Sequence, residues 1–386
     1  MNQPVMLTDQ QVSQIRAQFP ILRDNTYLYN CSQGALCAAV QAGMDAYACS
    51  WRQAPAPWDL WMEKYEEIRV AFAKLINAKP EEVAVVTSAS AGINPIANAL
   101  QFDGRNGVVM GEFEFPTMGH IWLAQEARGA KVQFLPATGD TIPLAGYEQA
   151  IDRRTMIVPL THLSFVNGFR SDVAAIARMA HSAGAYVFLD GYQDCGTRPL
   201  DVKALGVDFY VTGTLKYLLG PPGLGFLYVR EELIERLVSP VASWMGQRDV
   251  FAFNPKVLDR APAARRFEGG SPSIPNIYAA LPALGFLSGI GLDAVSGQIE
   301  KLTRAFLVGV HDLGIAAKTP ADSVGPLVVL RARNAALVSG RLAERKILIS
   351  TRLDGVRFAF HCYNNMDDVH AALTALEDNL DLMVRI

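Results

Sequence analysis

Seven short apolar runs, separated by longer stretches of mixed polarity, limit what this chain can fold into. They lie at 83–87, 107–110, 131–135, 156–160, 185–190, 208–212 and 225–229. Several are rich in Val and aromatic residues, so they read as buried strands of a mostly parallel sheet. Helical patterns lie between them. Asp172 to Ala183 is one, with apolar residues at 173, 176, 179 and 180. Strand and helix in alternation imply a doubly wound α/β sheet of seven strands. The last two runs are joined by a short Gly/Pro-rich segment, which leaves room for an antiparallel edge strand.

A chain of 386 residues is too long for one ordinary core. The pattern changes after Phe267-Glu268-Gly269-Gly270-Ser271-Pro272. A long helical stretch is expected from about 276 to 311. Strand-like 326–331, a helix near 334–344, strand-like 347–350 and 356–360, and a helix from Met366 follow. This reads as a smaller C-terminal α/β domain. The expected division is an N-terminal segment at 1–25 packing on the small domain, a large domain at 26–289 and the small domain at 290–386.

Half the residues are apolar and 19% are charged, a globular composition. The net charge of -3 recommends no nucleic-acid or polyanionic partner. Five cysteines, an odd number without a CxxC pair, read as reduced thiols of a cytoplasmic protein. No basic-then-apolar leader and no apolar run of membrane-spanning length is evident. The six histidines lack metal-ligand spacing, so no metal is expected. Neither a G-x-S-x-G elbow nor a P-loop appears, and Gly220-Pro-Pro-Gly-Leu-Gly does not follow the first strand as a dinucleotide fingerprint would.

Open α/β sheets bind ligands beyond the carboxyl ends of their strands. Four segments there can share one crevice: Thr87 to Gly92, Glu114 to His120, Asp190, and Thr212 and Thr214 leading to Lys216. Lys216 stands among Leu215, Tyr217, Leu218 and Leu219, poor company for a solvated ammonium. Desolvation lowers a lysine pKa and frees the amine for imine formation; the alternative is an exposed helix lysine. Asp190 ends an apolar strand, and a buried carboxylate needs a partner. A protonated pyridine nitrogen is one; a helix cap or a turn before Gly191 is the other reading. Lys216 and Asp190 are together what a pyridoxal phosphate (PLP) site requires.

Gln193 can reach a phenolic oxygen beside that ring. Ser90, Ala91 and neighbouring amides at a helix start suit a phosphate, although an ordinary Ser N-cap explains them as well. Phe115 can stack on a ring or belong to the core. Arg357, inside an apolar strand, asks for a carboxylate, either of a substrate or of an internal salt bridge.

With Asp190-Gly-Tyr-Gln193, Thr-Gly-Thr-Leu-Lys216 and Gly-Pro-Pro-Gly-Leu-Gly-Phe-Leu-Tyr in this order, the chain resembles the class V aminotransferase family of fold type I PLP enzymes. That group also includes cysteine desulfurases, isopenicillin N epimerase-like proteins and kynureninase. The resemblance runs from Tyr27-Leu-Tyr-Asn30-Cys-Ser-Gln-Gly to Tyr363-Asn364. It implies Lys216 as the Schiff-base lysine and proton shuttle, Asp190 on the pyridine nitrogen, Gln193 on the phenolate and Phe115 on the ring. It implies Ser90, Ala91 and Thr212 or Thr214 around the phosphate, and Arg357 and Asn30 at the substrate. It further implies a homodimer with shared active sites, to which Ser271 of a partner would contribute. The chain departs from the desulfurases in three places. Ser350 to Val356 holds no cysteine, Leu215 stands where a histidine often precedes the lysine, and Phe115 replaces a stacking histidine. Phe165 occupies the place of an asparagine, for which Asn167 is a possible substitute.

The expected activity is therefore that of a PLP enzyme on an α-amino acid, aminotransferase-type first. The alternatives are a β-eliminating C–S lyase, a kynureninase-like C–C hydrolase, or a PLP-fold protein that binds without turnover. Arg23, Trp51, Trp58, Trp61 and Arg248 are candidates for a substrate pocket.

Overall fold

The structure, a computed structural model, describes residues 5–386. Helix α1 (Asp9–Arg16) starts on a reciprocal box between Thr8 and Gln11. A two-residue strand β1 (Thr26–Tyr27) and helices α2 (Ala38–Gln53) and α3 (Trp58–Leu75) precede the main sheet. Then follow β2 (Val83–Val86), α4 (Ala89–Ala99), β3 (Gly107–Gly111), α5 (Pro116–Ala124), β4 (Lys131–Leu135), α6 (Leu144–Ala150), β5 (Thr155–Thr161), α7 (Val173–Ser182), β6 (Tyr186–Asp190), β7 (Phe209–Gly213), β8 (Gly225–Val229) and the single turn α8 (Glu231–Ile234).

All seven expected runs join one sheet, in the order β2-β8-β7-β6-β5-β3-β4. Strand β8 is antiparallel to both neighbours. The expected antiparallel strand thus exists, but it is not the edge. The short 214–224 link turns the chain straight back beside β7, and β2 then covers β8 from outside. Two reversals restore the direction of β2 to that of β7, so the carboxyl ends of β2, β3, β5, β6 and β7 share one rim. Apolar layers bury both faces of the other six strands, whereas β4, expected as a buried strand, is a mostly exposed edge, because it has a neighbour on one side only. On one face, Phe72 of α3 stacks on Phe226 of β8 with ring centroids 3.9 Å apart; on the other, Trp122 of α5 packs edge-on to Phe188 of β6. Side chains of this size contribute about 2–3 kcal/mol each when fully buried.

The expected single helix over 276–311 is two, α9 (Ile274–Ile290) and α10 (Leu292–Asp312), with axes bent by 78°. Gly291 sits between them at φ 88°, a left-handed conformation that ends α9 and that a side chain would oppose. After α10 come β9 (Leu327–Arg331), α11 (Ala335–Glu344), β10 (Ile347–Leu348), β11 (Ser350–Arg352), β12 (Gly355–Ala359) and α12 (Met366–Glu377). The expected strand at 347–350 is divided. Strand β10 pairs in parallel with β1, whereas β11 joins the small sheet β11-β12-β9. The N-terminal region is tied to this unit: Arg16 donates to the Tyr363 carbonyl at 2.7 Å and pairs with Asp368 at 2.6 Å. No single helix among the described residues is long and apolar enough to cross a membrane.

Candidate active site

A cavity of about 260 Å³ opens at the rim where the strand ends meet. Ser88, Ala89 and Ser90 line it after β2, Phe115 and Thr117 after β3, and Thr161 and Phe165 after β5. Asp190, Tyr192 and Gln193 follow β6, and Leu215 and Lys216 follow β7. The convergence expected from the sequence is therefore realised for Lys216, Asp190, Gln193, Phe115 and Ser90.

Lys216 forms no ion pair among the described residues. Its Nζ lies 4.5 Å from the ring centre of Tyr192 and 5.7 Å from that of Phe115. Burial lowers its pKa to about 8, against the opposing pull of Asp190 and Cys31; Arg357 and Arg352 lower it further. The backbone is held in place because Gly34 N–H donates to the Leu215 carbonyl at 2.7 Å.

Asp190 accepts the Tyr192 N–H at 2.8 Å. Burial raises its pKa, while that N–H and Lys216 resist the rise. Glu114, which the sequence argument did not single out, accepts the Thr161 N–H on Oε1 at 2.9 Å, while its Oε2 is buried without a partner. Burial pushes its pKa up to about 8 and the Asp190 charge adds to this; the Thr161 N–H opposes it. Thr161 is the register partner of Asp190. Two carboxyl groups thus flank β5, one of them held toward its neutral form. Behind them Asp194 lies 2.9 Å from both His162 and Arg170. Burial would raise its pKa, but contact with the His162 ring and the Arg170 guanidinium holds it far below the usual carboxylate range.

Gln193 donates to the Cys31 carbonyl at 3.0 Å, and its Oε1 is buried without a partner. Phe115 caps α5, with Pro116 at the first helical position. Phe115 is 42% exposed, and its ring meets Phe165 edge-on at 5.1 Å. Arg357 is buried and does not itself line the cavity, but it sits behind the wall residue Phe165. Its guanidinium donates to Ser350 Oγ at 3.1 Å, the Phe165 carbonyl at 3.3 Å and Ser32 Oγ at 2.8 Å. All three acceptors are neutral, and no carboxylate pairs with it among the described residues. The internal salt bridge considered from sequence is absent there.

Several expected residues stand elsewhere. Thr212 and Thr214 are fully buried and do not line the cavity; Thr214 Oγ1 donates to the Pro221 carbonyl at 2.6 Å. The Ala91 N–H is taken by Ser88 Oγ at 3.1 Å, and Ala91 lines a neighbouring depression instead. Ser88 and Ala89 take its place at the cavity wall. Asn30 donates to the Ala359 carbonyl at 2.8 Å and accepts from the Tyr363 hydroxyl, so it braces the small sheet. Asn167 donates to the Asp140 carbonyl at 2.8 Å and accepts from Phe169 N–H at 3.0 Å. It braces its own loop, and Phe165 remains at the wall. Ser271 is exposed beside Gly269 and Gly270, outside the cavity. The preceding Glu268 anchors that loop, accepting from Arg69, from Val85 N–H at 2.9 Å and from Tyr65 at 2.6 Å. Trp61 donates to Ser50 Oγ and packs against Trp58, and Arg248 pairs with Asp259. Neither these residues nor Arg23 and Trp51 reach the cavity.

The site suits pyridoxal phosphate. Lys216 offers a buried amine, Asp190 a carboxylate for the ring nitrogen, and Gln193 an amide with an unpartnered oxygen. The first turn of α4 would present its amide end to the phosphate. Comparisons agree. The family described as Aminotransferase class-V matches residues 33–372. An uncharacterized aminotransferase of Bacillus subtilis, YcbU, is 33% identical over 93% of this chain and 96% of its own. Kynureninase of Deinococcus radiodurans is 30% identical over 95% and 92%. Among solved structures, the cysteine desulfurase of Thermococcus onnurineus superposes with a TM-score of 0.87 at 23% identity, over 98% of this chain and all of that one. The chain belongs to the class V aminotransferase family, and with it to the pyridoxal phosphate enzymes of amino acids.

Proposed function

We propose that this enzyme transfers the amino group of an α-amino acid to an oxo-acid acceptor, with Lys216 as its proton-transferring base. The observation that carries the reading is Arg357, a buried fork held by three neutral acceptors and paired with no carboxylate among the described residues. A substrate α-carboxylate supplies the missing anion, and two parallel hydrogen bonds then fix the orientation of Cα. Pyridoxal phosphate, when bound, withdraws electrons from Cα and so weakens its bonds. Lys216 Nζ, brought to about 8 by burial, is in part a free amine near neutral pH and can take the Cα proton. With the cofactor bound, Asp190 would hold the ring nitrogen, Gln193 the phenolic oxygen, and Phe115 would pack against the ring.

β-Elimination of a C–S bond is the second reading, since cysteine desulfurases are among the relatives. The hairpin Ser350 to Val356 has no cysteine to accept sulfur, which favours amino transfer. A panel of L-amino acids with a 2-oxo acid acceptor separates the two. Transfer yields the matching oxo acid and an aminated acceptor. Pyruvate with ammonia and a thiol, and no aminated acceptor, refutes the proposal.

We further infer a cytoplasmic homodimer with shared active sites. The exposed Ser271 loop and the exposed apolar residues Phe251, Phe253, Val257 and Leu258 support pairing. We divide the chain into an N-terminal segment at 1–25, a large domain at 26–289 and a small domain at 290–386. The bend at Gly291 and the Arg16 contacts to Tyr363 and Asp368 support these limits.

A further inference from the structure

Five hydroxyl side chains line the cavity: Ser88, Ser90, Thr117, Thr161 and Tyr192. Four have protein partners. Ser88 Oγ accepts the Ala91 N–H at 3.1 Å, Ser90 and Thr117 share a hydrogen bond of 3.3 Å, and Thr161 donates to the Leu163 carbonyl at 3.3 Å. The Tyr192 hydroxyl makes no hydrogen bond to any described residue.

The position of that hydroxyl is defined by the backbone beneath it. A Cβ added to Gly213 would collide with the Tyr192 oxygen and the ring carbons next to it. The phenol therefore lies across the end of β7, where only glycine leaves room. Gly213 is the register partner of Gly225 in the antiparallel β7–β8 pair, so the two present the same face. A Cβ on Gly225 would lie 3.6 Å from the Ser88 carbonyl carbon. The Tyr192 hydroxyl thus stands one strand away from the N-terminus of α4, on the same side of the sheet. Its ring, meanwhile, lies 4.5 Å from Lys216 Nζ.

We infer that Tyr192 is a phosphate-binding residue of this site: its hydroxyl donates to the cofactor phosphate beside the α4 amides, while its ring supports Lys216. The inference rests on the cofactor reading given above. It assigns the hydroxyl that Thr212 and Thr214, turned into the interior, do not supply. A hydrogen bond to an ionised acceptor converts to roughly ten- to hundredfold in affinity.

The test compares PLP with pyridoxal, which lacks the phosphate, by equilibrium binding to the apoprotein. Tyr192→Phe keeps the ring and removes the donor. It is expected to weaken PLP binding roughly ten- to hundredfold and to leave pyridoxal binding unchanged. A second variant, Tyr192→Ala with Gly213→Ser, removes the ring and returns a hydroxyl to the same place. It is expected to regain most of the preference for PLP over pyridoxal that Tyr192→Ala alone loses. Equal losses for both ligands, or no loss for either, overturn the inference while the cofactor reading stands. Wild-type protein that holds neither ligand overturns both.

Discussion

Replacing Glu114 by glutamine should stabilise the apoprotein above neutral pH and leave it unchanged in acid. The Glu114 carboxyl has one oxygen on the Thr161 N–H and the other buried without a partner. Burial, with the Asp190 charge added, moves its pKa from 4.5 to about 8. Each pH unit of that displacement is worth about 1.4 kcal/mol, which sets a ceiling of about 5 kcal/mol. Buried sites behave as if their dielectric were higher than that of dry protein, so about 2–3 kcal/mol is the expected effect. The sign follows from the raised folded-state pKa. Stability associated with the neutral acid is complete below about pH 4.5. It is lost as pH rises toward about 8, because the unfolded chain ionises first. Glutamine keeps the acceptor oxygen for Thr161 and cannot ionise. Urea midpoints of both apoproteins, followed by intrinsic fluorescence across this range, should differ little in acid. The difference should then grow with pH and level off above about 8. A difference that is constant with pH, or that grows toward acid, would refute the placement of a neutral carboxyl beside Asp190.

Capture of PLP by the apoprotein should accelerate about tenfold per pH unit below about 8 and level off above it, because the lowered pKa of Lys216 sets the free amine; a half-point near 10.5 in the kinetics counts against the buried site, and Lys216→Arg should abolish capture. Arg357→Ala should raise KM for an α-amino acid roughly 100-fold or more, as two charge-assisted hydrogen bonds are lost. It should not change binding of the corresponding amine without a carboxylate; equal losses for both in a binding titration would place Arg357 outside substrate recognition. Glu268→Gln should cost about 2–3 kcal/mol, since buried Arg69 loses its buried carboxylate and keeps only the half-exposed Glu66 as ion-pair partner, measured as a fall in urea midpoint at constant slope.

The aromatic contacts around Lys216 show where reading the chain as a string reaches its limit. Phe115 was visible because it follows a strand end. Tyr192 was not, although it stands between Asp190 and Gln193 in a segment already singled out. Its part depends on Gly213, twenty-one residues later, whose missing side chain makes room for the phenol. Glu114 was similarly hidden: a Glu in a loop is ordinarily solvated, and only its position against Thr161 and Asp190 buries it. Asn30, Thr212 and Thr214 were plausible by neighbourhood. A polar side chain near a site belongs to it only if the backbone aims it there, and these three are aimed at carbonyl groups or the interior.

The alternation of apolar runs and helical stretches by itself determined the doubly wound sheet, because strands buried on both faces must be continuous in apolar character. The lysine after one strand and the aspartate ending another pointed to the cofactor class, together with the family resemblance of the segments around them, because their chemistry is local to each residue and a rim of strand ends brings them together. Strand order, the break at Gly291, the carboxylate-free fork of Arg357 and the phenol over Gly213 were decided only by tertiary structure. Each depends on which groups face one another across distant parts of the chain. Burial, partner supply and clearance are properties of that packing, and no single segment carries them.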